Sequence, residues 1–181
     1  AASGQRLFSF NQSSEWVRID QVTPYVLQAL AATEDASFYR HRGADLKALA
    51  AALYVNLRDG FGSRGGSTLT QQLVKRLFFS PQKTLRRKVA EILLALELEV
   101  LFAQTFPGDV STSAGGTRPA YKDRLLELYL NTVFYGANAY GIADASAVYF
   151  GRPPQALSRP QAALLIGLIN APTAYNPLQH P

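Results

Sequence analysis

The chain has 181 residues, of which 48% are hydrophobic and 17% charged, with a formal net charge of +5. That length and apolar share fit one domain with a real core and exclude a disordered chain. With no cysteine, and with His41 and His180 as its two histidines, disulfides, thiolate metal sites, a cysteine nucleophile and a His-rich zinc site are excluded. The positive balance asks for an anionic partner: nucleic acid, anionic lipid or a phosphorylated ligand.

In chain order, residues 6–20 (RLFSFNQSSEWVRID) carry the strand signal, with a polar turn at Asn11–Ser14. Thr23 caps a helix that has Pro24 at its first position and runs to about Glu34. The polar loop DASFYRHRGA follows. Leu46, Leu49, Ala50, Leu53, Tyr54 and Leu57 then recur at helical spacing, and Gly60 closes that helix. After the loop FGSRGG a helix begins at about Thr68. Ser80-Pro81 opens the longest helix, to about Phe102, with Leu85, Val89, Ile92, Leu93, Leu96 and Val100 as its buried stripe. Residues 104–120 (QTFPGDVSTSAGGTRPA) read as a loop. A helix over about Lys122–Phe134 precedes a turn bracketed by Gly136 and Gly141. A short helix leads to Tyr149-Phe150-Gly151, and Ser158 with Pro160 begins a last helix that stops before Pro172. The class is mainly α, a single domain over residues 1–181 with an extended or linker segment at 1–18.

Chemistry-bearing residues gather in three places. RGGSTLTQQLVKR, residues 64–76, sets hydroxyls, amides and a cation directly after a glycine turn. A helix start of that kind suits an anion, although it is no Walker A loop; taken alone, the stretch reads more simply as a well-capped helix after a surface loop. Glu34 and Asp35 precede Phe38 and Tyr39, a setting in which burial tunes a carboxylate for acid–base work; a solvated helix end paired with Arg40 or Arg42 is the plain alternative. His41 reads as a loop histidine hydrogen-bonded to its neighbours. Arg87, Lys88 and Glu91 share one helix flank at i,i+3 and i,i+4 spacing, with Lys83 one turn earlier. This flank is either a salt-bridged surface or a cationic wall for a diphosphate with a carboxylate inside it. No nucleic-acid signature appears, and basic residues do not alternate with aromatics, so nucleic acid is not expected as a partner. No run of about 18 apolar residues occurs, so no transmembrane helix is expected here. The opening AASG looks like a cut edge.

Taken together, ATEDASFYRHRGAD, RGGSTLTQQLVKR, TLRRKVAEILLALELE, KDRLLELYLNTVFYGANAYGI…YFG and LLIGLINAPTAYNP stand in an order that resembles the five motifs of the family GT51 peptidoglycan glycosyltransferases, the glycosyltransferase domains of class A penicillin-binding proteins and their monofunctional relatives. The resemblance runs from about Ile19 to Pro177. It implies a lysozyme-like, mainly α domain with a large head lobe and a small membrane-associated jaw lobe. It implies an enzyme that polymerises lipid II into β-1,4-linked glycan by inversion, releasing undecaprenyl diphosphate, at the outer face of the bacterial cytoplasmic membrane. The anchoring transmembrane helix would lie outside this chain, and a transpeptidase domain would follow in the class A proteins. Expected partners are lipid II, the growing lipid-linked glycan, the membrane surface and other cell wall synthesis proteins.

Carried over by motif, Glu34 matches the general base, Asp35 its support and Glu91 the second essential carboxylate. Lys75, Lys83, Arg87 and Lys88 match the phosphate-contacting cations, and Ser67, Gln71, Gln72 and Asn131 the polar donor-site contacts. The resemblance leaves room for a divalent cation, Mg²⁺ or Mn²⁺, at Glu91, with no organic cofactor. Arg76 stands where the family often has Asn, Gln161 where the fifth motif usually has Glu, and 104–120 resembles an insertion. The rival readings are a lysozyme-like lytic enzyme, which releases no diphosphate and needs no cation wall, and a non-catalytic lipid- or nucleic-acid-binding module.

Overall fold

The structure is a computed structural model that describes residues 15–60, 65–80, 82, 84–111 and 117–178. Among them seven α-helices and one two-stranded sheet form: α1 (Pro24–Thr33), α2 (Leu46–Asp59), α3 (Leu69–Phe78), α4 (Leu85–Thr105), β1 (Asp109–Ser111), β2 (Thr117–Pro119), α5 (Ala120–Thr132), α6 (Ile142–Phe150) and α7 (Arg159–Leu168). The class is mainly α, as expected. Side chains fix the helix starts: Asp45, Thr68 and Thr84 accept the N–H groups of Ala48, Gln71 and Arg87 and cap α2, α3 and α4. Thr84 therefore starts the long helix after the expected Ser80-Pro81 boundary; Pro81 and Lys83 lie outside the described residues.

The chain divides into two compact units, residues 1–26 with 130–181 and residues 27–129. The first packs around Val17, Val26, Val133, Ile142, Leu165 and Ile166, all buried. The strand expected over 6–20 does not appear where that segment is described: residues 15–18 carry no strand, and Ile19–Gln21 is a 3-10 turn. Residues 6–14 lie outside the described set. The backbone of Val17 is instead satisfied by a side chain. Its N–H donates to Asn131 Oδ1 at 2.9 Å, and Asn131 Nδ2 donates to its carbonyl at 2.8 Å. The strand pairing falls in the segment expected to be a loop, where Asp109, Val110 and Ser111 pair antiparallel with Pro119, Arg118 and Thr117. At Gln161 the departure from the family pattern has a local role. Its side-chain oxygen accepts the Ser158 N–H at 2.9 Å and completes a capping box on α7, which an amide does as well as a carboxylate.

In the second unit the largest correction concerns α4. Its expected buried stripe faces outward: Leu85 is 82% exposed, Leu93 62% and Val100 54%, with Val89 and Leu96 also exposed and Ile92 half-buried. The buried residues are Glu91, Ala95 and Glu99, one turn apart. On α2, Leu46, Tyr54 and Leu57 are likewise exposed, while Ala52 is buried; the Leu53 side chain lies outside the described set. The reason is steric as well as electrostatic. Gly43, at φ +81°, brings its backbone onto α4 so closely that a Cβ would lie 2.7 Å from the Ala95 carbonyl oxygen. Only a small residue on α4 can face that approach. Gly66 meets α2 in the same way, its missing Cβ falling 2.8 Å from that of Ala52. No helix of the described residues is long and apolar enough to cross a membrane.

Gly43→Ala is expected to lower unfolding stability by about 2 kcal/mol or more, because left-handed strain adds to the clash with Ala95. Gly151→Ala, at φ +60° with open space around its Cβ, should lose only the conformational term of about 1 kcal/mol. Urea unfolding of the two variants measures the difference.

Candidate active site

The end of α1 delivers the first carboxylate. The Glu34 N–H closes the last turn onto the Leu30 carbonyl at 2.9 Å, which leaves the side chain half-buried at the rim of a polar cleft. The cleft has a volume of about 500 Å³ and is lined by Glu34, Asp35, Ser37, Arg40, Gly65 and Ser67 among others. From α3, Gln72 Nε2 donates to Glu34 Oε2 at 3.0 Å, and Tyr129 on α5 donates its hydroxyl to Gln72 Oε1 at 3.0 Å. Burial pushes the Tyr129 phenol well above its ordinary range. It stays protonated and donating, and so fixes which end of the Gln72 amide meets Glu34.

Asp35 is buried and committed. Its carboxylate meets His41 Nε2 at 2.9 Å and accepts the Leu69 N–H at 3.1 Å. It thereby ties the loop after Glu34 to the first turn of α3. The Ser37 hydroxyl donates to Asp45 and lies 3.3 Å from Asp35 Oδ1. That hydroxyl and the Ala48 amide hold the Asp45 carboxyl below the usual carboxylate range. Asp35 is thus positioned to hold the loop, and His41, a loop histidine hydrogen-bonded to a near neighbour as expected, is one of its anchors.

The cationic wall assembles around Glu91, which is 2% exposed. Lys88 Nζ lies 3.4 Å from Glu91 Oε2 and donates to Ser67 Oγ at 2.6 Å and Gln71 Oε1 at 3.2 Å. Arg87 Nε lies 3.3 Å from Glu91 Oε1, and its NH1 donates to the Ser80 carbonyl at 2.9 Å. The helix-flank geometry expected from the spacing is therefore present, partly buried, and joined to the glycine-led stretch through Lys88. Gly66 seats that stretch on α2, and Thr68 bonds the Gly43 carbonyl at 2.6 Å. Lys75 is exposed with no partner among the described residues. Arg76 sits over the Tyr129 ring at 6.0 Å.

Two expected residues are not assigned to this site. Lys83 lies outside the described residues, and Asn131 belongs to the first unit, where both ends of its amide are taken by Val17. Conversely, the sequence reading missed a buried charge network behind the site. Lys122, fully buried, pairs with Glu99 at 2.7 Å, and Thr70 on α3 donates to Glu99 at 2.6 Å. The Lys122 ammonium also lies 4.4 Å from the centre of the Phe38 ring. Burial pushes Lys122 below the ordinary lysine range, against the pull of Glu99. The signal was available: Glu99 continues the four-residue ladder from Glu91, with a small residue between them.

The sequence profile described as Transglycosylase matches residues 3–181. The chain belongs to the transglycosylase family. It is 42% identical over 167 residues to "Penicillin-binding protein 1A/1B" of Bacillus subtilis, covering 92% of this chain and 16% of that protein. Over 170 residues it is 42% identical to "Penicillin-binding protein 1A" of Aquifex aeolicus, covering 94% of this chain and 21% of that one. "Penicillin-binding protein 1A" of Escherichia coli is 40% identical over 162 residues, covering 90% and 17%. This transglycosylase chain spans about a fifth of the length of these relatives.

Lys122→Met should cost about 3–5 kcal/mol, because it strands the Glu99 charge in the interior. Adding Glu99→Gln should restore most of that loss; denaturant midpoints of the single and double variants measure both effects.

Proposed function

We propose that this transglycosylase domain polymerises lipid II, the growing lipid-diphosphate-linked chain acting as donor and the 4-hydroxyl of an incoming disaccharide as acceptor. The observation that carries this reading is the pairing, within one unit, of a half-buried Glu34 on the cleft wall with the Ser67–Lys88–Glu91–Arg87 array. A sugar hydroxyl is a weak nucleophile, so a general base must take its proton as it attacks the anomeric carbon. Glu34, oriented by Gln72 and Tyr129, is that base. The C–O bond to the diphosphate breaks as the new glycosidic bond forms, the configuration inverts, and the electron pair leaves with the diphosphate. Preplaced cations stabilise the charge that develops there. Lys88, Arg87 and the exposed Lys75 fill that role, while Glu91 holds the first two in place.

Glu91 does not by itself make a divalent cation site. It offers one carboxylate whose two oxygens already face Arg87 and Lys88, and no cluster of three His, Cys, Asp or Glu side chains among the described residues could hold a metal. A divalent ion there would take its remaining ligands from the substrate phosphates, and no step above is routed through one. The exposed leucines and valines of α4 and the apolar residues of α2 support contact with a membrane surface carrying the lipid tail. An outer-face location, an anchor and a companion transpeptidase domain follow from the same reading. Glycan cleavage is the poorer fit, because it leaves the cation array without a leaving group to serve.

Glu34→Gln should fold and still bind the lipid-linked substrate, while polymerisation falls by about 10²–10⁴-fold. Glycan synthesis from labelled lipid II near the wild-type rate would remove Glu34 as base. Lys75→Ala should weaken binding of phosphoglycolipid inhibitors of the moenomycin type, read by calorimetry; unchanged affinity would take Lys75 out of the phosphate site.

A further inference from the structure

A second cavity, of about 480 Å³, opens beside the loop that follows Glu34. Its lining includes Arg40, His41, Arg42, Gln104, Pro119 and Tyr121, and Arg40 also lines the active-site cleft. Pro119 belongs to β2, so the inserted hairpin supplies part of the wall. The hairpin is fastened in place. Arg118 makes two contacts with Asp123, at 2.8 and 2.9 Å, and lies 5.2 Å from the Tyr39 ring centre, while the Tyr39 hydroxyl donates to Asp123 at 3.1 Å. The segment without an obvious role in the sequence therefore helps to line this cavity beside the loop that follows Glu34.

The lining states what it would bind. Neither Arg40 nor Arg42 forms an ion pair among the described residues, and the one acidic lining residue, Glu99, is already matched by Lys122 and Thr70. The cavity thus offers two guanidinium groups outside any ion pair, Arg40 donating only to the Ala36 carbonyl at 3.4 Å, and such groups favour a carboxylate or phosphate. His41 narrows the choice. Its side chain is 8% exposed, its Nε2 faces the Asp35 carboxylate, and its Nδ1 is buried with no partner among the described residues. In the neutral ring, with the proton on Nε2 and donated to Asp35, Nδ1 is an acceptor that an N–H or O–H would satisfy. A phosphate dianion supplies oxygens for the arginines but no donor for Nδ1. A peptide supplies both, and Val100, Ala103 and Pro119 give its side chains an apolar wall.

We infer that this cavity is a subsite for a carboxylate-bearing peptide, with Arg40 and Arg42 taking the carboxylate and His41 Nδ1 accepting a peptide N–H. Resting on the polymerisation reading, the peptide is the branch carried by the glycan precursor itself. Its capture sits next to the cleft, because His41 bonds Asp35, the residue that holds the base loop to α3.

The test uses Arg42→Glu, an exposed position outside the catalytic machinery, and two lipid-linked disaccharides, one with its complete peptide and one with the peptide removed. The variant should raise KM for the peptide-bearing substrate by about tenfold or more and leave the peptide-free substrate within about twofold. In a second arm a free N-acetylated pentapeptide of the same sequence is titrated onto each protein while the His41 ring nitrogens are followed by NMR. Wild type should show a saturable shift of Nδ1, and Arg42→Glu should show it only at about tenfold higher peptide. Equal KM changes for the two substrates overturn assignment to the substrate's own branch, even if free peptide binds. A peptide that leaves His41 unmoved in wild type overturns the subsite. If wild type makes no glycan from either substrate, the polymerase reading fails, and the titration alone decides the cavity.

Discussion

Two buried carboxylates on one face of α4 organise the second unit. An unpaired carboxylate cannot be kept ionised in an apolar interior, so each must be met by cations and hydrogen-bond donors. Glu91 is met by Arg87 and Lys88, and Glu99 by Lys122 and Thr70. The first pairing collects the cations of the site, and the second ties α3, α4 and α5 together behind it. Because this face of α4 is taken up by charge and by Ala95, the helix turns its leucines and valines outward. The polar interior and the apolar exterior of α4 are one arrangement seen from its two sides.

Close backbone approach makes the arrangement work. Gly43 reaches α4 at Ala95, and its carbonyl accepts from Thr68 and Gln71 at the start of α3. Asp35 reaches the same turn through the Leu69 N–H. The start of α3 is thus held from two points of the loop that follows Glu34. Gln72, one turn further along α3, then meets Glu34 with its amide orientation set by Tyr129. If Glu34 is the base proposed above, holding it in this way leaves it little freedom to lose when an acceptor hydroxyl arrives, which is where positioning contributes to rate.

Most helices were legible because their caps and breakers are local: Thr68, Gly60, Ser158 and Gly151 act within a few residues of themselves. The Arg87–Lys88–Glu91 flank was legible for the same reason, since helical spacing alone brings the three together. The hairpin at 109–119 was not, because Gly, Pro, Ser and Thr in its sequence read as loop while its pairing depends on where Arg118 and Tyr39 meet Asp123. Over residues 15–20 the expected strand is absent for the opposite reason. The Val17 backbone is satisfied by Asn131, a residue 114 positions away, and no pattern within the segment reveals that.

The sequence by itself determined the helical class, most of the helix starts, the order of the five motifs and hence the family, since these follow from short-range sterics, capping and residue identity. Tertiary structure alone decided which face of α4 is buried. Apolar periodicity marks a face that avoids polar neighbours, and it does not say whether protein or a membrane surface will cover it. It also decided that Asp35 and His41 hold a loop, that Asn131 satisfies the Val17 backbone, and that a second cavity stands beside the cleft. Each of these rests on contacts between residues distant in sequence, whose energies exist only once the chain has brought them within a few ångströms.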